Sequence, residues 1–178
     1  MRAGARPMRY LRGSAHMIAV GWLLLLGAMF WFFSDLNERE TNPNRNIVAA
    51  ASAEMVLQRS RNGHYYADGE INGQPVKFLL DTGATQIALS PKLASALGLS
   101  LGRPVTLQTA AGLATGYPAR LARVRLGSIE MQNLGAVVSE GMSDESVLLG
   151  MNFLKHLEIT QRGDQLTLRP PGDAAQLR

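Results

Sequence analysis

The sequence predicts an all-β domain, a closed barrel or sandwich with one short helix, preceded by a single N-terminal transmembrane helix. Two observations predict this organisation. One long apolar block lies near the start of the 178-residue chain, and many short apolar runs separated by turn residues follow it. The predicted parts are a basic cytoplasmic tail (1–16), a transmembrane anchor (17–33), a linker or stalk (34–60), the β domain (61–171) and a C-terminal tail (172–178).

The composition argues against several kinds of site. The chain has no cysteine, which excludes disulfides, thiolate metal sites and a cysteine nucleophile. His16, His64 and His156 lie far apart and lack the spacing of metal ligands, so we expect no metal site. The net charge is +4, and Arg2, Arg6, Arg9 and Arg12 crowd the first dozen residues, beside the apolar block. The rest of the chain has mixed charge and lacks interleaved aromatics. We therefore expect no nucleic-acid partner.

The apolar block, residues 17–33, reads MIAVGWLLLLGAMFWFF and carries no charge. A spanning helix needs roughly 17–25 residues, so its length is about the minimum. Arginines precede it and acids follow it, which predicts a cytoplasmic N-terminus and an exported domain. The pattern suits a bacterial inner membrane with the β domain in the periplasm. The alternative is a cleaved signal peptide, but bulky aromatics occupy the positions where a cleavage site needs small residues.

The segment between the anchor and the β domain carries no chemical signal. Residues 34–46 are polar and contain Asn42-Pro43-Asn44, which is typical of a linker. Residues 47–60 (IVAAASAEMVLQRS) have a helix-forming composition. We predict a short helix or a stalk there.

Turn and capping signals organise the β domain. Asn72-Gly73 between two strand-like runs predicts a type I′ hairpin, because both residues tolerate a positive φ. Ser90 and Pro91 predict the start of a short helix over residues 92–97, and Gly98 its end. Further strand-like runs cover residues 64–71, 75–80, 87–89, 105–109, 117–126, 129–131, 134–138, 147–149, 157–160 and 166–168. One or two helical turns are predicted over residues 151–156.

Two motifs carry the chemical signal. The apolar run Phe78-Leu79-Leu80 leads directly into Asp81-Thr82-Gly83-Ala84, which places an acid at the end of a buried strand. A structural acid on a turn is the alternative interpretation of Asp-Thr-Gly alone. Later, Val147-Leu148-Leu149-Gly150 is followed by Met151-Asn152-Phe153-Leu154, an apolar strand that ends in glycine before a helical turn.

Together these strings resemble the active-site elements of retropepsins, the retroviral and retroviral-like aspartic proteases, and in particular the small bacterial ones with an N-terminal anchor. The resemblance runs from Tyr65 to about Arg169. It implies an aspartic endopeptidase with Asp81 as the catalytic acid and base, and no metal or organic cofactor. The loop Thr82, Gly83 and Ala84 would surround the carboxylate. Leu148, Leu149, Gly150 and Asn152 would support it.

The resemblance also implies a flap that closes over a peptide substrate, and the candidate is Thr109-Ala110-Ala111-Gly112. The Thr82 hydroxyl would bond across a dimer, Gly83 would let backbone approach the substrate, and Ala84 stands where pepsin-like enzymes usually have serine.

Aspartic protease chemistry needs two carboxylates, and no other acid follows an apolar pair with Thr-Gly behind it. Asp68 and Asp164 are predicted in turns, and Asp144 and Glu145 in a polar loop. The second carboxylate is therefore expected from Asp81 of another copy, in a homodimer. Two alternatives stay open: a retropepsin-fold binding or scaffold module at the membrane that has little or no activity, and a β-rich ligand-binding domain of another fold.

Overall fold

The computed structural model describes residues 12–44, 54–109, 112–142 and 146–171. The chain divides into two compact units, Met1–Arg39 and Glu40–Arg178. A long helix, α1 (Arg12–Thr41), accounts for the described part of the first unit. The second unit contains the β domain.

The predicted N-terminal apolar helix is confirmed. Within α1, Met17–Ser34 has a mean hydropathy of 2.0, and its side chains are exposed along the whole segment. This segment is long and apolar enough to cross a membrane, and a signal sequence near an N-terminus has the same properties. The helix continues to Thr41, which extends it into the polar segment predicted as a linker.

The second unit consists of ten strands and two short helices among the described residues. The strands are β1 (Met55–Gln58), β2 (Tyr65–Ile71), β3 (Gln74–Leu80), β4 (Ile87–Leu89), β5 (Val105–Thr109), β6 (Gly112–Leu126), β7 (Ile129–Ser139), β8 (Val147–Leu149), β9 (Glu158–Arg162) and β10 (Gln165–Arg169). The helices are α2 (Pro91–Ala96) and α3 (Met151–Leu154).

Six strands close into a barrel. They follow the order β2-β3-β8-β4-β7-β6, and β6 pairs back onto β2 through Glu70↔Arg125 and Ile71↔Val124. Closure leaves these six strands without a free edge over the paired residues. The strand β5 pairs with β6 outside this ring. Phe78, Leu121 and Phe153 are among the largest side chains buried in the core.

The local signals in the sequence are confirmed. Asn72 and Gly73 join β2 to β3 with φ values of 52° and 82°, as a type I′ turn requires. The Ser90 hydroxyl accepts the N–H of Leu93 at 3.2 Å at the start of α2. The two runs predicted at 129–131 and 134–138 form one strand, β7, in which Asn133 adopts a φ of 58°.

A second, three-stranded sheet has the order β1-β10-β9. The helix or stalk predicted over residues 47–60 is wrong for Met55–Gln58, which form β1, and residues 45–53 lie outside the described residues. Met55 and Leu57 are buried while their neighbours are exposed, so the run has the period of a strand. Beside β1, Arg169 donates to Glu54 at 2.7 Å, and this hydrogen bond raises the pKa of Arg169.

The predicted linker is also folded against the domain near its end. The side chain of Asn44 donates to the backbone oxygens of Gln58, at 2.9 Å, and Tyr66, at 2.7 Å, and accepts the Gln58 N–H at 2.8 Å. Asn42 donates to Asp68 at 2.6 Å, and both asparagines are buried. The Asn44 bonds cover the outer edge of β1 at Gln58, and β9 forms the opposite edge of this sheet, where it pairs only with β10 among the described strands.

Candidate active site

Asp81 lies where the chain leaves the barrel wall. Strand β3 runs parallel to β8, with Leu80 opposite Leu149, and the N–H of Asp81 donates to the Leu149 oxygen at 3.2 Å. Leu149 belongs to the buried core and Leu80 packs against it, so the backbone at Asp81 is held by packing as well as by this bond. Asp81 itself is partly buried, at the boundary between core and solvent.

The loop after Asp81 holds its carboxylate. The N–H of Gly83 donates to Asp81 Oδ1 at 2.8 Å, and the N–H of Ala84 donates to the Asp81 backbone oxygen at 3.3 Å. A Cβ at position 83 would lie 3.1 Å from Oδ1, which is tighter than ordinary contact. Thr82 and Gly83 are exposed, so the outer face of this loop is open to a ligand or to another chain.

The second motif is bonded directly to the first. The N–H of Met151 donates to the Ala84 oxygen at 2.7 Å, and the N–H of Asn152 donates to the Thr85 oxygen at 3.1 Å. The Asn152 side chain accepts the N–H of Ile87 at 3.1 Å and donates to the Gly135 oxygen at 2.7 Å. A single amide therefore satisfies the backbone of both β7 and the start of β4, the strand that follows the active-site loop.

Gly150 permits this close approach. A Cβ there would lie 2.4 Å from the backbone oxygen of Gln86 and 2.8 Å from that of Ala84. Backbone oxygens cannot move aside as the end of a flexible side chain can. Leu148 pairs with Leu79 and Leu149 is fully buried, so the strand before Gly150 runs beside the one that carries Asp81. The structure thus brings the two sequence motifs together.

The predicted flap coincides with the tip of the β5–β6 hairpin. Thr109 pairs with Gly112, and its hydroxyl donates to the Gly112 oxygen at 2.7 Å. Gly112 has a φ of 110°, a conformation that side chains disfavour. Ala110 and Ala111 lie outside the described residues. The neighbouring Leu113 is 75% exposed, and the role of the hairpin as a flap stays a prediction.

Of the four other acids weighed above, the structure describes two, and both belong to other elements. Asp68 was predicted in a turn but lies within β2, where it accepts a hydrogen bond from Asn42, because the turn begins only at Asn72. Asp164 lies in the turn between β9 and β10, as predicted. Asp144 and Glu145 are not among the described residues. In the described part of the chain, no group of three or more histidines or acids could hold a metal ion.

A cavity of about 400 Å³, which no sequence motif predicted, lies next to Gln86, shortly after the Asp81 loop. Its polar lining comes from Gln86, Ser100 and Arg120, and small residues of β6 and β7 complete it. Gln86 follows the first motif closely and could have been suspected. Arg120 gave no signal, because its place in the cavity depends on the pairing of β6 with β7.

Comparisons with known proteins point to one family. The family model described as "gag-polyprotein putative aspartyl protease" matches residues 67–156, a range that includes both motifs and the β5–β6 hairpin. A retropepsin-like aspartic protease from Rickettsia conorii, solved by crystallography, has 32% identity and a TM-score of 0.54. The similarity covers 65% of this chain and 87% of that one.

Two curated relatives have names that assign no activity. "Uncharacterized protein in cobV 5'region" from Sinorhizobium sp is 42% identical over 121 residues, and "Uncharacterized protein RP867" from Rickettsia prowazekii is 36% identical over 108. These matches cover 65% and 59% of this chain. The chain spans about half the length of these relatives, 52% and 46%. From the family match, the barrel and the joined motifs, the chain belongs to the retropepsin-like aspartic proteases.

Proposed function

We propose that this protein is an aspartic endopeptidase that hydrolyses peptide bonds with a water activated by two Asp81 carboxylates, one from each chain of a homodimer. The observation that carries the proposal is the position of Asp81. The Gly83 N–H fixes its carboxylate in a loop whose outer face is exposed. Gly150 leaves room for the backbone of this loop, and the Asn152 N–H bonds the backbone that follows it.

The chemistry divides the work between two carboxyl groups that share one proton. Two carboxyl groups about 3 Å apart do not both ionise, because the two negative charges would repel each other. One group is therefore a carboxylate and the other a protonated acid. The carboxylate takes a proton from the water molecule while the water oxygen attacks the carbonyl carbon of the peptide. The acid donates its proton to the carbonyl oxygen. The C–N bond of the resulting gem-diol then breaks, and a proton passes to the leaving nitrogen. The two apparent pKa values of such a dyad describe the coupled pair and cannot be assigned to one carboxyl group or the other.

One chain supplies half of this arrangement. The structure holds one acid in such a loop among the described residues, and a two-fold axis beside it would bring a second Asp81 face to face with the first. Thr82 is exposed in the same loop, and its hydroxyl would donate to the partner loop, as the family resemblance implies.

The open edge of β9 supports the homodimer. All five of its residues are exposed, and its outer edge carries backbone groups that a further strand could bind. Its sequence, EITQR, is complementary to itself: antiparallel pairing about Thr160 would place Glu158 of one chain opposite Arg162 of the other. We infer that two copies pair through β9.

We also propose that α1 is retained as a membrane anchor, with its N-terminus in the cytoplasm and the protease domain on the outer side of a bacterial inner membrane. The charges that flank residues 17–33 and the aromatics at their end support this orientation. Confinement to a membrane raises the effective concentration of one copy for another, so a dimer that is weak in solution would still form there.

The test of the proposed activity compares the 178-residue chain with its Asp81→Asn variant in detergent on a peptide library. Asparagine keeps the shape of aspartate but cannot carry the charge that activates water. General acid–base catalysis alone contributes about 10²–10⁴-fold, so cleavage should fall by at least that factor. A native melting profile in the variant is the control for folding.

Equal cleavage by both proteins would reject the aspartic protease mechanism. A wild-type chain that cleaves no peptide would favour the binding or scaffold module instead.

A further inference from the structure

The cavity lined by Gln86, Ser100 and Arg120, here called the Arg120 cavity, adjoins both elements that would enclose a substrate. Its floor includes Gly135, whose backbone oxygen accepts the Asn152 side chain. The same side chain accepts the N–H of Ile87, the residue after Gln86. One amide therefore connects the cavity to β4, the strand that follows the active-site loop.

The Arg120 cavity also borders the base of the β5–β6 hairpin. The pairing of that hairpin begins at Val105↔Gly116, and the cavity-lining residues Pro118 and Ala119 follow on the same strand. An extended peptide that lies between the active-site loop and the hairpin would thus pass beside the cavity. We expect the cavity to receive a side chain of that peptide.

The guanidinium of Arg120 is held in place by neutral groups. Its Nη1 donates to the backbone oxygen of Asn133 and to Asn133 Oδ1, both at 3.0 Å. Asn133 has a φ of 58°, a conformation that asparagine tolerates better than most residues. Because arginine has five N–H donors, the two on Nη1 can be occupied while three remain for a ligand.

The positive charge of Arg120 is not neutralised within the described part of the chain. Its hydrogen bonds go to uncharged oxygens, the ion pairs of residues 54–109, 112–142 and 146–171 do not include it, and the cavity lining contains no acid. Gln86 and Ser100 add an amide and a hydroxyl that can donate to the same ligand. The lining therefore favours an anionic group over a cationic one.

We propose that the Arg120 cavity is a substrate subsite for an acidic side chain, aspartate or glutamate, and that Arg120 gives the protease its preference for peptides that carry one. The proposal rests on the proposed endopeptidase function. A carboxylate in the cavity accepts two hydrogen bonds from the guanidinium or one from it and one from Gln86 or Ser100. Gly135 adds no side chain to the cavity, and Gln86 Oε1 lies 3.4 Å from where its Cβ would be.

The expected preference is moderate because Arg120 is exposed and its charge is screened by water and salt. Hydrogen bonds to a charged group are stronger than neutral ones, whereas exposed ion pairs contribute little. We expect a preference of about 5- to 20-fold in kcat/KM at low salt, which decreases as salt is added.

The test uses the 178-residue chain in detergent and pairs of peptides that differ only by glutamate or glutamine, with the substitution moved one position at a time along both sides of the cleaved bond. At one position the glutamate peptide should be cleaved faster by the factor given above. The Arg120→Gln variant should lose this preference, so that it cleaves the glutamate and glutamine peptides of each pair at equal rates.

Two further variants make the test specific to the charge in the cavity. Arg120→Glu should reverse the preference at the same position, so that a lysine peptide is cleaved faster than the glutamate peptide. Arg123→Gln removes an exposed arginine of the same strand that does not line the cavity, and it should keep the wild-type preference.

The outcomes separate this inference from the proposed function. Wild-type protein that cleaves glutamate and glutamine peptides equally at every position would overturn the subsite and leave the endopeptidase intact. If the Arg120→Gln variant keeps the preference for glutamate, other residues cause it and the proposed role of Arg120 is wrong. Protein that cleaves no peptide would reject the endopeptidase and the subsite together.

Discussion

At the scale of single residues, Gly150 decides whether the two motifs can meet. Its absent side chain leaves room for the backbone oxygens of Gln86 and Ala84, which a Cβ would approach to 2.4 Å and 2.8 Å. We predict that Gly150→Ala shifts the active-site loop and destabilises the domain by about 2–3 kcal/mol, in the upper range for an inserted methyl group. The Tm should fall by roughly 5–15 °C in thermal unfolding followed by circular dichroism.

Gly141→Ala is the matched control for this substitution. A Cβ at position 141 would meet only the Ser139 hydroxyl, at 3.9 Å, and its φ is not positive. The control should change the Tm by no more than about 2 °C. If Gly150→Ala melts like the wild type, the close packing of the two motifs is not what fixes the loop.

The sequence predicts the residues of the catalytic loop better than those of the Arg120 cavity, for a physical reason. Asp81, Gly150 and Asn152 belong to short sequence motifs, so each can be recognised from the residues next to it in the chain. Arg120 has its position because β6 pairs with β7 and because Asn133 adopts a positive φ inside a strand. Neither property is encoded within a few residues of Arg120, so its role could be inferred only from the structure.

At the scale of elements, the same distinction separates the turns from β1. The Asn72-Gly73 hairpin and the start of α2 follow from local backbone preferences and are predictable. The partner of β1 is β10, far along the chain. An alanine-rich segment that contains a four-residue strand has no local feature that excludes a helix, so long-range pairing overrides its composition.

The proposed pairing of β9 with its copy can be tested by cross-linking. The chain has no cysteine, so Thr160→Cys introduces a single thiol at the centre of the proposed antiparallel pair. Mild oxidation of this variant in detergent should give a disulfide-linked dimer that retains peptide cleavage. The control, Val56→Cys, places an exposed thiol on β1 and should remain monomeric on the same gel.

No cross-link with Thr160→Cys, in protein that is dimeric by sizing, would show that the chains meet elsewhere. A cross-linked protein without activity would show that β9 pairing is incompatible with a shared site.

At the scale of the whole molecule, the proposed function makes one chain half of an enzyme. The barrel wall and its loop hold Asp81, and in the proposal a second copy that pairs along β9 would supply the other carboxylate. The apolar helix would keep copies in one membrane, where they meet at high effective concentration. Activity should therefore depend on association, a dependence that a protease with both carboxylates in one chain does not have.

Mixing active and inactive chains tests this central claim most directly. Wild-type chain is kept at a concentration where sizing shows a dimer, and increasing amounts of Asp81→Asn chain are added before reconstitution into one population of micelles. If each site needs two Asp81 carboxylates, an equal amount of variant should leave about half of the wild-type activity, because mixed dimers are inactive. A larger excess should suppress activity in proportion. Activity that stays constant as Asp81→Asn chain is added would contradict the shared site and show that one chain is sufficient.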